Sequence, residues 1–190
     1  MAALGGCGDE PERAMKIDWD LSARHTLDEV DWPKKSLDLY TTRLEPVESV
    51  RIRLPGNDVL KMTERASDVI LYRRSNGPEL LPPPEGDVLT EIEVYTVPLG
   101  VEDAYRRALA YADQFGLSRA PLQGWRRRRE RGADDVTDRT TTAASERHLG
   151  AKDGPIPDVE LLYSANEERP WVVKVALYWP PPKEGRAPSL

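Results

Sequence analysis

The sequence predicts an α+β protein: a mostly antiparallel β-sheet packed against one main α-helix, with a short second helix. Three observations lead there. Segments with apolar and polar residues in alternation lie on both sides of one alanine-rich amphipathic stretch. The regular strand–helix alternation of a parallel sheet is missing. The last two strand-like segments are joined by a short polar turn, as in a hairpin.

Before residue 47 the pattern is faint. Ile17-Asp18-Trp19-Asp20-Leu21 alternates briefly, and Ser36-Leu37-Asp38-Leu39-Tyr40 fits either a short strand or a helical turn. Trp32-Pro33 marks a break, because the residue before proline is pushed out of the α region. Trp19 and Trp32 are expected to cover one edge of the core. Val50, Ile52 and Leu54 then alternate with Arg51 and Arg53 as a half-buried strand. Pro55-Gly56-Asn57-Asp58 supplies a turn, with Val59 to Met62 as a short return strand. Further strands are expected at 68–74 and 89–97. In the second of these, Ile92, Val94 and Thr96 oppose Glu91, Glu93 and Tyr95.

The main helix is read from Val101, Ala104, Tyr105, Ala108, Ala112 and Phe115, which fall on one stripe at spacings of three and four. Glu102 and Asp103 complement the positive end of its dipole. Gly116 is placed to cap it in the left-handed conformation, with Leu117 folding back. The many alanines imply close approach to a sheet. A second, shorter helix starts near Ser118, and Thr140-Thr141-Thr142 is read as an edge strand. The segment 158–164 is the first arm of the hairpin. In the second, Trp171, Val173, Val175, Leu177 and Trp179 face one way, as a core-lining strand requires. Tyr95 and Tyr178 are candidates for a contact surface on the opposite face.

The single cysteine sits in Leu4-Gly5-Gly6-Cys7 and is followed by the polar run Gly8-Asp9-Glu10-Pro11-Glu12-Arg13. Leucine three positions before a cysteine and glycine directly before it resemble the lipobox of bacterial lipoproteins. The excess of arginine over lysine adds a likeness to proteins of high-GC, actinobacterial-type bacteria. The resemblance implies lipid on Cys7 and an extracytoplasmic body. Residues 1–15 would be a signal remnant and tether, 16–180 one α+β domain, and 181–190 a disordered tail. Each buried methylene contributes about 0.8 kcal/mol, so two acyl chains anchor stably where one is marginal.

A net charge of −6 and a charged fraction of 32% argue against a nucleic-acid binder, which needs clustered positive charge. One basic cluster does exist: Trp125, Arg126, Arg127, Arg128, Arg129 and Arg131. It reads either as a surface patch for a polyanionic envelope component, with Trp125 stacking beside it, or as a solvated helix end. Ser145, His148 and Asp153 can be written as a hydrolase triad, but they stand too close in sequence and no Gly-x-Ser-x-Gly elbow accompanies them. His-Glu-x-x-His, paired cysteines and a Gly-rich phosphate loop are all absent. No catalytic residue, metal or cofactor is therefore expected. The expected function is a lipid-anchored binding module of the cell envelope. A cytosolic, acidic partner-binding protein of inhibitor or immunity type is the alternative, and an exported carboxylate-dependent hydrolase ranks third.

Overall fold

The computed structural model describes residues 15–26, 29–30, 41–44, 47–63, 65–73, 88–131, 140–150, 152–163 and 170–180. Cys7 and its tether, Trp32, the segment 36–40 and the C-terminal tail lie outside the described residues. Nine strands form one sheet: β1 (Met15–Asp20), β2 (Thr41–Leu44), β3 (Val47–Arg53), β4 (Val59–Met62), β5 (Ala66–Arg73), β6 (Leu89–Thr96), β7 (Thr140–Ala144), β8 (Ile156–Tyr163) and β9 (Trp171–Tyr178). Two helices, α1 (Val101–Gln114) and α2 (Ala120–Glu130), fall between β6 and β7. The fold is α+β. Its main path runs β1-β3-β5-β6-β9-β8-β7, antiparallel at every pairing but β1 with β3.

β2 to β5 act as one long, bent hairpin. Its tip pairs Arg53 with Val59, and the register continues to Val50 opposite Met62. Val47 then meets Ala66, and Leu44 meets Val69, so the β4–β5 arm carries one extra residue. Such an extra residue bends the strand and increases its twist. The tip closes through Leu54 N–H to the Asp58 carbonyl at 2.7 Å. Gly56 and Asn57 both adopt positive φ there. A Cβ on Gly56 would run into the backbone of Gly150, and one on Gly150 would fall on the Pro55 carbonyl. Glycine at both positions lets two backbones touch, which ties the hairpin tip to the loop after β7.

The core lies on one face of the sheet. Ile17 and Trp19 of β1, Val50 and Ile52 of β3, and Ile92 and Val94 of β6 are buried in it. Trp171, Val173, Val175 and Leu177 of β9 and Val159 and Leu161 of β8 complete the row. The inward faces read for β6 and β9 are buried as expected, and Glu93 and Ala176 on the opposite face are buried as well. Both helices pack on this same face, over β7, β8 and β9. Ala104, Ala108 and Ala112 of α1 are fully buried, so small side chains bring the helix close to the strands. Tyr111, three residues after Ala108 and seven after Ala104, joins them on the same side. The expected cap is present. Gly116 takes φ 64°, its N–H bonds the Asp113 carbonyl, and Leu117 N–H bonds the Ala112 carbonyl at 2.7 Å.

Between β6 and β9 the ladder changes hands at Thr96. Beyond Tyr95 opposite Lys174, the Thr96 hydroxyl accepts the Val173 N–H at 3.0 Å in a buried setting. Leu99 then exchanges both backbone bonds with Trp171. Replacing the hydroxyl by a methyl strands a buried donor. Thr96→Val should therefore lower stability by about 1–3 kcal/mol, measured by urea denaturation, although its volume is unchanged.

Candidate functional site

The opposite face of the sheet carries the chemistry. The alternation that buries Ile92 and Val94 turns Glu91, Glu93 and Tyr95 outward, and in β9 it turns Val172, Lys174, Ala176 and Tyr178 outward. Register then sets the rows. Tyr95, Lys174 and Glu160 lie side by side, as do Glu93, Ala176 and Asp158, and as do Tyr72, Glu91 and Tyr178. Among the described residues both helices sit on the other face.

Glu93 is the hub. One of its oxygens accepts the hydroxyls of Tyr72 at 2.7 Å and Tyr95 at 2.8 Å; the other accepts Lys174 Nζ at 3.1 Å. Lys174 also bridges to Glu160 at 3.1 Å. With its side chain only 9% exposed, Glu93 would be costly as a lone anion, and these three donors offset that cost. Burial and the Glu93 carboxylate push the Tyr72 hydroxyl up to about 12 and raise that of Tyr95 further. Both tyrosines thus remain donors across the physiological range. Desolvation works against the Lys174 ammonium, but bonds to Glu160 and Glu93 outweigh it and hold its pKa above the ordinary value.

Charge on this face does not balance. Among the described side chains, Glu91, Glu93, Asp158 and Glu160 surround one cation, Lys174. Burial and the neighbouring Glu93 raise Glu91. Of the carboxylates Asp158 moves most: burial, with repulsion from Glu160 and Glu93, lifts it to about 6 despite the attraction of Lys174. Its Oδ1 is buried and accepts no hydrogen bond. Ala176, between Glu93 and Asp158, has no polar group to offer either. Among the described residues no group of three or more His, Cys, Asp or Glu side chains is arranged to hold a metal ion.

The arginine cluster divides differently from its sequence reading. Trp125 is fully buried, edge-on to Trp171 with ring centroids 5.0 Å apart and stacked on Tyr105 at 6.0 Å. It is a core residue, which corrects its placement in a surface patch: no external ligand can stack on it. Its size and apolar ring decide this, since Leu122 three residues earlier is buried on the same side. Arg129 lies over the rings of Trp125 and Trp171 at 5.5 and 5.1 Å, and Arg126 lies over Tyr105 while pairing with Glu102 and Glu130. Arg127, Arg128 and Arg131 are exposed.

Ser145 and His148 are each engaged elsewhere. The Ser145 hydroxyl accepts the Arg147 N–H at 2.8 Å, and His148 Nδ1 bonds the Gly154 carbonyl at 2.6 Å. His25 stacks flat on Trp179, with centroids 5.1 Å apart. A polar groove between β4 and α1 is lined by Lys61, Thr63, Asp103, Arg106, Tyr111 and Gln114, a set without a nucleophile–base pair. Among the described residues no helix is long and apolar enough to cross a membrane. Tyr95 and Tyr178 do share the outer face, as their alternation implied, with Tyr178 at 41% exposure. Glu93, Lys174 and Asp158 were not legible as a set from the sequence: each looks like an ordinary charged position of a half-exposed strand.

The chain matches no family model, no curated protein and no solved structure.

The raised Asp158 makes stability depend on pH in a defined direction. Its stabilising contribution is complete below about pH 4, where the carboxyl is neutral in both states, and is lost as pH rises through about 6. Asp158→Asn, which keeps the shape and removes the charge, should raise the melting temperature at pH 8. The gain over the parent should fall away towards pH 4, as thermal melts across that range would show.

Proposed function

We propose that this protein is a binding module that receives a basic segment of a partner protein on the face of its sheet opposite α1 and α2, and that lipid on Cys7 holds it at the outer face of a membrane. The observation that carries the binding half is the excess of Glu91, Glu93, Asp158 and Glu160 over Lys174 on that face. A guanidinium or ammonium from a partner would supply the missing positive charge, and the Glu160 carboxylate, 23% exposed, is an acceptor within its reach. Tyr178, Val172 and Leu162 around the charges add apolar surface of the kind that anchors an interface. The partner's charge is positive rather than negative because a phosphate or carboxylate here would meet four anions. The tether half rests on Leu4-Gly5-Gly6-Cys7, the sole cysteine and the polar run after it.

Titration of the isotopically labelled protein with an arginine-rich nonapeptide, followed by amide chemical shifts, tests the face. Shifts confined to residues 68–72, 91–95, 156–162 and 172–178, weakened by salt and by Glu91→Gln with Glu160→Gln, are expected. Shifts elsewhere, or none, would remove this reading. Mass spectrometry of the N-terminus of protein isolated from its native host tests the tether separately. A diacylated Cys7 is expected. A bare thiol rejects the anchor and leaves an acidic partner-binding protein of the cell interior.

A further inference from the structure

We propose that the outer edge of β7, with the arginine-rich end of α2 beside it, accepts an extended acidic segment of a partner protein as an added strand. The inference does not depend on the role of the acidic face, which this edge adjoins through Thr142 beside Glu160 and Ala144 beside Asp158.

β7 ends the sheet, and among the described residues its one neighbour is β8. A terminal strand presents a row of backbone donors and acceptors, and proteins blunt such rows with charges, prolines or bulges. The far edge, β1, is treated in that way: Lys16, Asp18 and Asp20 are exposed along it. β7 is not. Its sequence Thr-Thr-Thr-Ala-Ala contains no charge, no proline and no glycine, and its register with β8 has no bulge. Thr142 and Ala144 are exposed. Three threonines favour extended backbone, so the edge is pre-shaped for pairing.

What flanks the edge sets the partner's charge. α2 packs against β7, and the Trp125–Trp171 contact fixes where its second half lies. Trp171 pairs with Tyr163, and the adjoining Leu162 pairs with Thr140. The arginine-rich half of α2 therefore sits at the end of the sheet where β7 begins. Arg129 is drawn inward over the two indoles and Arg126 is paired with Glu102 and Glu130, while Arg127, Arg128 and Arg131 are exposed. Backbone pairing would supply affinity without regard to sequence, and the arginines would select carboxylates.

A fluorescein-labelled octapeptide of alternating Glu and Thr serves as the probe, followed by fluorescence anisotropy with the full chain. Binding should weaken by at least about tenfold when every peptide amide is N-methylated, which leaves charge intact and removes the strand's donors. The triple variant Arg127→Ala, Arg128→Ala, Arg131→Ala should weaken it about fivefold or more at low salt, and a Lys–Thr octapeptide should not bind. Amide shifts at 140–144 should report the bound state. Equal binding of the N-methylated peptide would mean a purely electrostatic contact and overturn the proposal. So would equal binding of the Lys–Thr peptide, or no binding at about 1 mM. A concentration-dependent dimer seen by sedimentation and lost in Thr142→Pro would place a second copy on this edge and overturn it as well.

Discussion

The edge-on contact between Trp125 of α2 and Trp171 of β9 decides how the rest of the molecule is arranged. It joins the second helix to the first residue of a central strand. Tyr105 of α1 stacks on the same indole, so both helices are referred to one point on the sheet. Aromatic pairs in this geometry contribute about 0.5–1.5 kcal/mol beyond the area they bury, and Arg129 adds a cation over both indoles. The position of this contact on one face forces the consequence on the other. With α1 and α2 committed to the core side of β7, β8 and β9, no helix among the described residues covers the outward residues of β6, β8 and β9, and these pack on one another.

They do so with a hydrogen-bonded carboxylate rather than with apolar packing. Glu93 binds two tyrosine hydroxyls and one ammonium, which leaves it nearly buried yet satisfied. A network of this kind is rigid because removing any donor leaves a charge without compensation. Lys174, shared between Glu93 and Glu160, cannot also neutralise Glu91 and Asp158. Among the described side chains the surplus negative charge is thus a property of the register: three strands set four carboxylates around one lysine. The basic end of α2 lies on the opposite side of the sheet. The molecule therefore has two differently charged surfaces, separated by its own core.

The legibility of these features from sequence follows how local each signal is. Strands β6 and β9 have unbroken alternation, and α1 has a stripe and a glycine cap, so both classes of element were readable in place. β1 was visible only as a brief alternation because its pairing with β3 is parallel and involves residues about thirty positions away. β2 gave no signal: it is the upper part of an arm whose pairing with β5 exists only once the hairpin tip has closed. For the candidate site, the alternation placed Tyr95 and Tyr178 on one face, but nothing in a single strand relates Glu93 to Lys174, 81 residues later. Trp125 was misplaced for a related reason. Its arginine neighbours dominate the local pattern, while its burial depends on Trp171.

By itself, then, the sequence determined the α+β class, the strand faces, the main helix with its cap, and the absence of familiar catalytic motifs. Those follow from periodicity and from residues adjacent in the chain, where spacing alone sets which side chains share a face. Only the tertiary structure decided that the Arg-rich helix buries its tryptophan, that four carboxylates share one lysine, and that an uncharged strand ends the sheet. Each of these depends on cross-strand register or helix placement, which long-range packing sets and short-range spacing does not.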